Sequence, residues 1–218
     1  MKSEAKKFVK KRLPFLVSMA KTIQSLAKYQ ASKRKIRRLL KERSDIFVEV
    51  GAGNKAGEQG WVTIDRTEKC DIFWDLRNGI PFPDASVKKI YSSHFFEHLS
   101  FRETQQFLVE CKRVLVPGGK FSICVPNARI WLEAYVKRTP LDLDAYFVYK
   151  PAYDSTTAID AANYIAYLDG EHKYMFDEEN LLFILESKGF KNAHLRPFEP
   201  GLDMQERVIG SMYAEAEK

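Results

Sequence analysis

The residues best equipped for chemistry in this 218-residue chain cluster between Val48 and His94. Val48-Glu49-Val50-Gly51-Ala52-Gly53-Asn54 follows an apolar run, so a strand delivers the backbone into a turn where two glycines let a ligand approach closely. Nicotinamide sites open in a similar way but want a further glycine where Ala56 stands here, at the start of a long helix. Gly57, Gly60 and Trp61 follow too quickly for such a helix. Three carboxylates accompany the loop. Asp65 ends the next strand, with Arg66 beside it, and its two oxygens suit the paired hydroxyls of a ribose. Asp75 ends the third strand, where it is placed to accept from an adenine amine while Leu76 packs on the ring. Glu49 faces a cationic amino group, directly or through water. An NAD site has no such cation, whereas an amino-acid sulfonium has two.

Four histidines are the remaining candidates. His94 follows the fourth strand at the ligand face, where a neutral imidazole can take a proton from an acceptor hydroxyl. His172, just before a helix, either enters the same pocket or only pins the chain, and His98 reads as a brace for the helix that follows. His194 lies in a late strand with no partner in view. Cys70, Cys111 and Cys124 follow no metal-ligand spacing, so reduced, mostly buried thiols and no metal are expected.

These residues need a scaffold of alternating strands and helices, which is the pattern from Ile46 onward. Strands are expected at Ile46–Val50, Trp61–Ile64, Asp71–Trp74, Lys88–Ser92, Lys120–Val125, Asn192–Arg196 and Arg207–Ala214. Helices are expected at Phe101–Val116 and Asp177–Lys188, with Pro117-Gly118-Gly119 turning the chain into the fifth strand. Ala128–Tyr174 exceeds a simple crossover and reads as a substrate cap. Tyr135, Tyr146, Tyr149, Tyr153, Tyr164 and Tyr167 fall within it, with Asp142, Asp144, Asp154, Asp160 and Asp169, a mixture that suits a polyhydroxylated acceptor or, equally, the core of a small helical subdomain.

Charge divides the chain. Residues 1–43 carry 15 Lys and Arg against 2 Glu, while the remainder carries 20 against 27. The division predicts a basic helical arm, 1–43, ahead of an acidic α/β domain, 44–218. Pro14 suits the first turn of an amphipathic helix reaching Gln30, with Leu16, Met19, Ile23 and Leu26 on one face. A second basic stretch follows, in which Ile36, Leu39 and Leu40 continue an apolar face. No apolar run is long enough to cross a bilayer.

VEVGAGN, WVTID, DLRNGIPFPDASVKKIYSSHFFEHL and RVLVPGGKFSICVPN, in this order over Ile46–Asn127, resemble the class I S-adenosylmethionine-dependent methyltransferases, in a compact branch with a short loop in place of the first long helix. The resemblance extends to methyltransferases of surface-polysaccharide assembly. It implies a Rossmann-like sheet of order 3-2-1-4-5-7-6, S-adenosylmethionine as cofactor, Gly51, Ala52 and Gly53 as the methionine-side loop, Asp65 at the ribose and Asp75 at the adenine. Ser92, Ser93 and His94 become the floor beneath the methyl group, and the short loop puts Asn54 and Lys55 in question as contacts. The expected reaction is O-methylation of a glycan or sugar-containing acceptor in the cytoplasm. The arm would sit on an anionic inner-membrane surface, against the body or against a second copy of the chain. Two rivals stand: an RNA methyltransferase gripping phosphates through the arm, against which the acidic body and the lack of a base-methylation motif speak, and a scaffold that has lost catalysis.

Overall fold

The computed structural model describes residues 2–139, 141 and 157–218, with the side chains of residues 2–18, 20 and 21 outside the description. A long helix α1 (Lys2–Glu42) precedes β1 (Phe47–Val50), β2 (Trp61–Asp65), β3 (Ile72–Phe73) and β4 (Val87–Ser93). Then come α2 (Phe101–Val114), β5 (Leu115–Pro126), α3 (Ala128–Lys137), α4 (Ala158–Tyr167), α5 (Glu178–Ser187), β6 (Lys191–Arg196) and β7 (Ser211–Glu217). The sheet order is β3-β2-β1-β4-β5-β7-β6, as the resemblance implies. Strands β1 to β5 are parallel, and β7 runs antiparallel to both β5 and β6.

Val48 and Val50, Ile64, Ile90, Phe121 and Ile123 are fully buried, and one core joins them to Phe107, Leu108 and Cys111 of α2 and to Leu181, Ile184 and Leu185 of α5. Helix α2 starts at a capping box in which Ser100 and Glu103 satisfy each other's backbone amides. All three cysteines are buried and unpaired.

The arm departs from expectation. One helix runs from Lys2 to Glu42, so Pro14 lies well inside it rather than in its first turn, and no glycine separates the two basic stretches. Its second half belongs to the domain. Ile36 and Leu39 enter the main core, Ser32 Oγ bonds both Phe73 N and Phe73 O, and Lys35 pairs with Asp71 at 2.6 Å. These contacts cover the edge strand β3, which would otherwise expose unpaired backbone.

The last strand also shifts, from Arg207–Ala214 to Ser211–Glu217, because Gln205–Arg207 forms a short turn and Gly210, at φ +82°, redirects the chain. That turn is anchored by a buried ion pair. Arg196 binds both oxygens of Asp203 at 2.6 and 2.8 Å, and Asp203 also accepts from Tyr91 Oη at 2.9 Å. Arg207 is thereby led back across the end of β4.

Candidate cofactor and acceptor site

Strand order reverses between β1 and β4, so a crevice opens at their carboxyl ends, the usual ligand position in open α/β sheets. Gly51, at φ +68°, forms one wall. A Cβ there would lie 2.2 Å from the Phe95 ring, so only glycine lets the loop after β4 close onto the loop after β1. Gly53, at φ +64°, faces open space, with nothing within 4 Å of an added Cβ. Its amide donates to Asp65 Oδ2 at 2.8 Å, and the second Asp65 oxygen accepts from Arg66 N. The short loop is confirmed: no helix forms between β1 and β2.

Asp71 holds that loop in place, a role with no motif to announce it. Its Oδ2 accepts from Gly57 N, Thr63 N and Thr63 Oγ1 while Oδ1 takes Lys35 of α1. Burial works against its charge, but Lys35 and the Thr63 and Gly57 amides outweigh it and hold the carboxyl below its ordinary value.

Each cofactor-side carboxylate has a local partner. Glu49 is buried, which raises its pKa, and Lys55 Nζ lies 2.8 Å away and opposes that rise. Lys55 therefore stands where a cofactor ammonium would approach Glu49. Asp75 caps the turn Leu76–Asn78 and takes the Arg77 fork at 2.9 and 2.6 Å, with Arg66 at 3.8 Å. Leu76 is almost wholly in the main core rather than free to cover a ring. Asn54 is exposed, Ala52 half-buried, and Ser92 fully buried.

Next to this crevice lies a cavity of about 190 Å³ lined by His94, Glu97, His98 and His172 together with Trp131, Tyr164, Ile165 and Leu168 of the α3–α4 cap. Asn127 N-caps α3, and Trp131 packs with Ala161 and Ile165 of α4, which fixes the cap. Of its candidate acceptor residues, Tyr164 lines the cavity, Asp160 caps α4, and Tyr135 and Tyr167 face solvent. Tyr146, Tyr149, Tyr153, Asp142, Asp144 and Asp154 lie outside the described residues.

His94 sits at φ +50° with Nε2 2.7 Å from Ser211 Oγ and Nδ1 3.4 Å from Glu97 Oε1. Nε2 is thus engaged by Ser211, while Nδ1 is turned towards the Glu97 carboxyl without a hydrogen bond between them. Burial, together with Arg207, His172 and His98, drives its pKa well below the ordinary value, while burial drives the Glu97 carboxyl well above its own. Burial thus disfavours the charged form of both groups. Arg207 Nη1 donates to Ser93 O and Oγ at 3.1 and 3.3 Å, placing a guanidinium on the floor after β4.

His98 and His172 are differently placed. His98 Nδ1 meets Glu171 O at 3.0 Å and His172 Nδ1 meets Ile165 O at 2.8 Å. A carbonyl only accepts, so Nδ1 carries the proton in each neutral ring and Nε2 keeps its lone pair. His98 is thus more than a helix brace, and His172 does enter the pocket. His194 is exposed on β6, with Nδ1 2.7 Å from Asn192 O. Sequence reading missed Glu97, Arg207, Trp131 and Asp71 because each acts through a distant contact. The run His94 to His98, with Glu97 inside it, was the one available signal.

Residues 65–123 match the family model described as a methyltransferase domain. A probable S-adenosylmethionine-dependent methyltransferase of Mycolicibacterium smegmatis is 44% identical over 57 residues, 24% of this chain and 21% of that protein. The demethylmenaquinone methyltransferase of Tropheryma whipplei is 30% identical over 126 residues, 56% of this chain and 48% of that protein. The chain thus spans less than half the length of these curated relatives. A SAM-dependent methyltransferase from Archaeoglobus fulgidus shares the fold at TM-score 0.50 and 19% identity, over 87% of this chain and 94% of its own. These matches support a methyltransferase domain of the S-adenosylmethionine-dependent kind over part of the chain, and the fold is shared with such an enzyme.

Proposed function

We propose that the chain transfers a methyl group from S-adenosylmethionine to a hydroxyl of a glycan or sugar-containing acceptor held in the His94–His172 cavity. The observation that carries this reading is the join between crevice and cavity, where Phe95 rests on Gly51 while its neighbour His94 lines the acceptor side. The cofactor side fits an amino-acid sulfonium. Gly53 is open for close approach, Glu49 offers a buried carboxylate to its ammonium in exchange for Lys55, and Asp65 stands at the end of β2 for the ribose. Asp75 serves the adenine once Arg77, which is exposed, releases it. Bound there, the cofactor supplies an electrophilic methyl group and its own leaving group.

The chain's residues orient the acceptor and keep water out. Trp131 and Tyr164 offer ring faces to a sugar's CH surface, and the His98 and His172 Nε2 lone pairs accept a hydrogen bond from its hydroxyl. His94 and Glu97 line the cavity beside them. The same aromatic and apolar lining favours a second reading, an aromatic acceptor such as the quinol that the Tropheryma relative's name implies. The test is release of S-adenosylhomocysteine by the full chain with sugar nucleotides, lipid-linked glycans, a demethylated quinol and RNA in separate arms. Turnover with a sugar-containing acceptor alone is expected. Turnover with the quinol alone, or with RNA alone, overturns the glycan assignment, and no cofactor binding overturns the enzyme reading.

A further inference from the structure

Glu97, His98 and His172 present one ligand atom each, all within 4.8 Å of one another, and all three line the acceptor cavity. From these three residues we propose a mononuclear site for a divalent first-row transition-metal cation.

The Glu97 carboxylate is the first reason. It is 2% exposed, and neither oxygen has a hydrogen-bond partner; His94 Nδ1 at 3.4 Å is poorly aligned for one. A buried carboxyl with neither oxygen paired is costly, and a cation that displaces its proton is one of the few groups that repays the cost.

The second reason is how the two imidazoles are held. Each gives its Nδ1 proton to a backbone carbonyl and so turns an unprotonated Nε2 outward. Metal-binding histidines are commonly oriented by such a bond, which sets the tautomer and raises the basicity of the ligand nitrogen. The ring centroids lie 5.0 Å apart at 78°, so the two lone pairs can converge without stacking. Backbone bonding locks the two segments together: Lys173 N and Tyr174 N both donate to Glu97 O, at 2.8 and 3.3 Å. Ligand atoms around a cation bonded at about 2.0 to 2.2 Å sit roughly 3 to 4 Å apart, so a small side-chain movement closes the site.

Two imidazoles with one carboxylate favour zinc, manganese or iron over magnesium, which prefers oxygen and retains its waters. Three protein ligands leave coordination positions free, and these face the cavity. An oxygen of the acceptor would fill one, so the imidazoles hold the hydroxyl through the cation rather than by a direct hydrogen bond. That role rests on the methyltransferase reading, whereas the site itself does not.

The full chain, stripped with chelator and dialysed, is titrated calorimetrically with zinc, manganese and magnesium chlorides. Manganese binding is repeated by electron paramagnetic resonance, and S-adenosylhomocysteine binding is measured separately. The expected result is about one equivalent of zinc and of manganese, with magnesium far weaker. Glu97→Gln and His98→Ala should each weaken zinc by about 100-fold or more, in line with the loss of one of three ligands. His98 is only half-buried, so His98→Ala remains informative if Glu97→Gln fails to fold. Equal zinc affinity in the parent and His98→Ala, or no binding above background, overturns the site. Cofactor binding without metal binding overturns this inference alone, and metal binding without cofactor binding overturns the methyltransferase reading while leaving the site intact.

Discussion

The cofactor side and the acceptor side of the crevice handle charge in opposite ways. On the cofactor side, Glu49, Asp65 and Asp75 meet cations or amides close by in sequence, namely Lys55, Gly53, Arg66 and Arg77. Lys55 and Arg77 are substantially exposed, so these pairings exchange readily for a charged ligand. On the acceptor side, Glu97, His94, His98 and His172 come from segments some 75 residues apart, and burial disfavours charge on Glu97, His94 and His172. One side binds by trading ion pairs; the other holds reactive groups dry and poised. Substitutions on the first should change affinity, and on the second turnover.

The largest effect is expected at His172. His172→Ala should lower turnover by roughly 10²- to 10⁴-fold while S-adenosylhomocysteine affinity by calorimetry stays within about twofold. His94→Ala removes a wall whose Nε2 is already engaged by Ser211, so it should cost only about tenfold in turnover. A larger loss for His94 than for His172 would return the proton-accepting role to His94.

Next comes the cofactor side. Asp65→Ala loses the carboxylate proposed for the ribose and frees Gly53 N, so cofactor affinity should fall by roughly 1.5 to 3 kcal/mol, with the thermal midpoint nearly unchanged. Unchanged affinity would remove Asp65 from the site. A drop in turnover at saturating cofactor would blur the division between the two sides.

A smaller, pH-dependent effect is expected where α1 meets the cofactor loop. Burial opposes the Asp71 charge, yet Lys35 and the loop amides hold its folded pKa below the ordinary value. Its stabilisation is therefore complete above about pH 4, the unfolded carboxylate range, and is lost as pH falls through the folded value. Asp71→Asn should lower stability in urea by about 1 kcal/mol at pH 7, and by progressively less below pH 4. An equal cost at pH 7 and pH 3 would show that the Asp71 charge contributes nothing.

How much of this was legible follows the same division. The glycine loop and the strand-end carboxylates were readable because each depends on residues adjacent in sequence: Val48 to Asn54, Trp61 to Asp65, Asp75 to Asn78; the sheet order came only with the resemblance of the ordered motifs to a known family. Glu97 to His172 was not, since its geometry comes from Lys173 and Tyr174 bonding back to Glu97 O. Arg207 was placed in a strand because nothing local shows that Arg196 and Asp203 pin the chain before it. The unbroken α1 was missed because the interior Pro14 read as a helix start.

The smallest expected effect concerns the exposed half of α1, which we propose rests on an anionic membrane surface. Met19, Ile23 and Leu26 are 47, 58 and 59% exposed, whereas Ile36 and Leu39 on the same helix are buried in the domain core. One helix thus has a docked half and, ahead of it, three exposed apolar residues on one face. Seven Lys and Arg within residues 1–26 suit the negative potential of anionic lipid, and charge of that kind is screened by salt. Such placement would bring the cavity beside lipid-linked glycans. Removal from Ser44 would tear Ile36 and Leu39 out of the core, so the informative truncation begins at Ala27, which keeps Lys28 on Glu68 and Tyr29 on Phe73 and Trp74. The full chain should sediment with anionic but not neutral vesicles at low salt, and release at high salt. The truncated form should stay in solution with its melting midpoint lowered by no more than about 4 °C, the shift that a change of about 1 kcal/mol produces in a domain of this size. Failure of the full chain to sediment at low salt rejects the membrane. A concentration-dependent dimer that dissociates on truncation assigns the exposed half to a second copy of the chain instead.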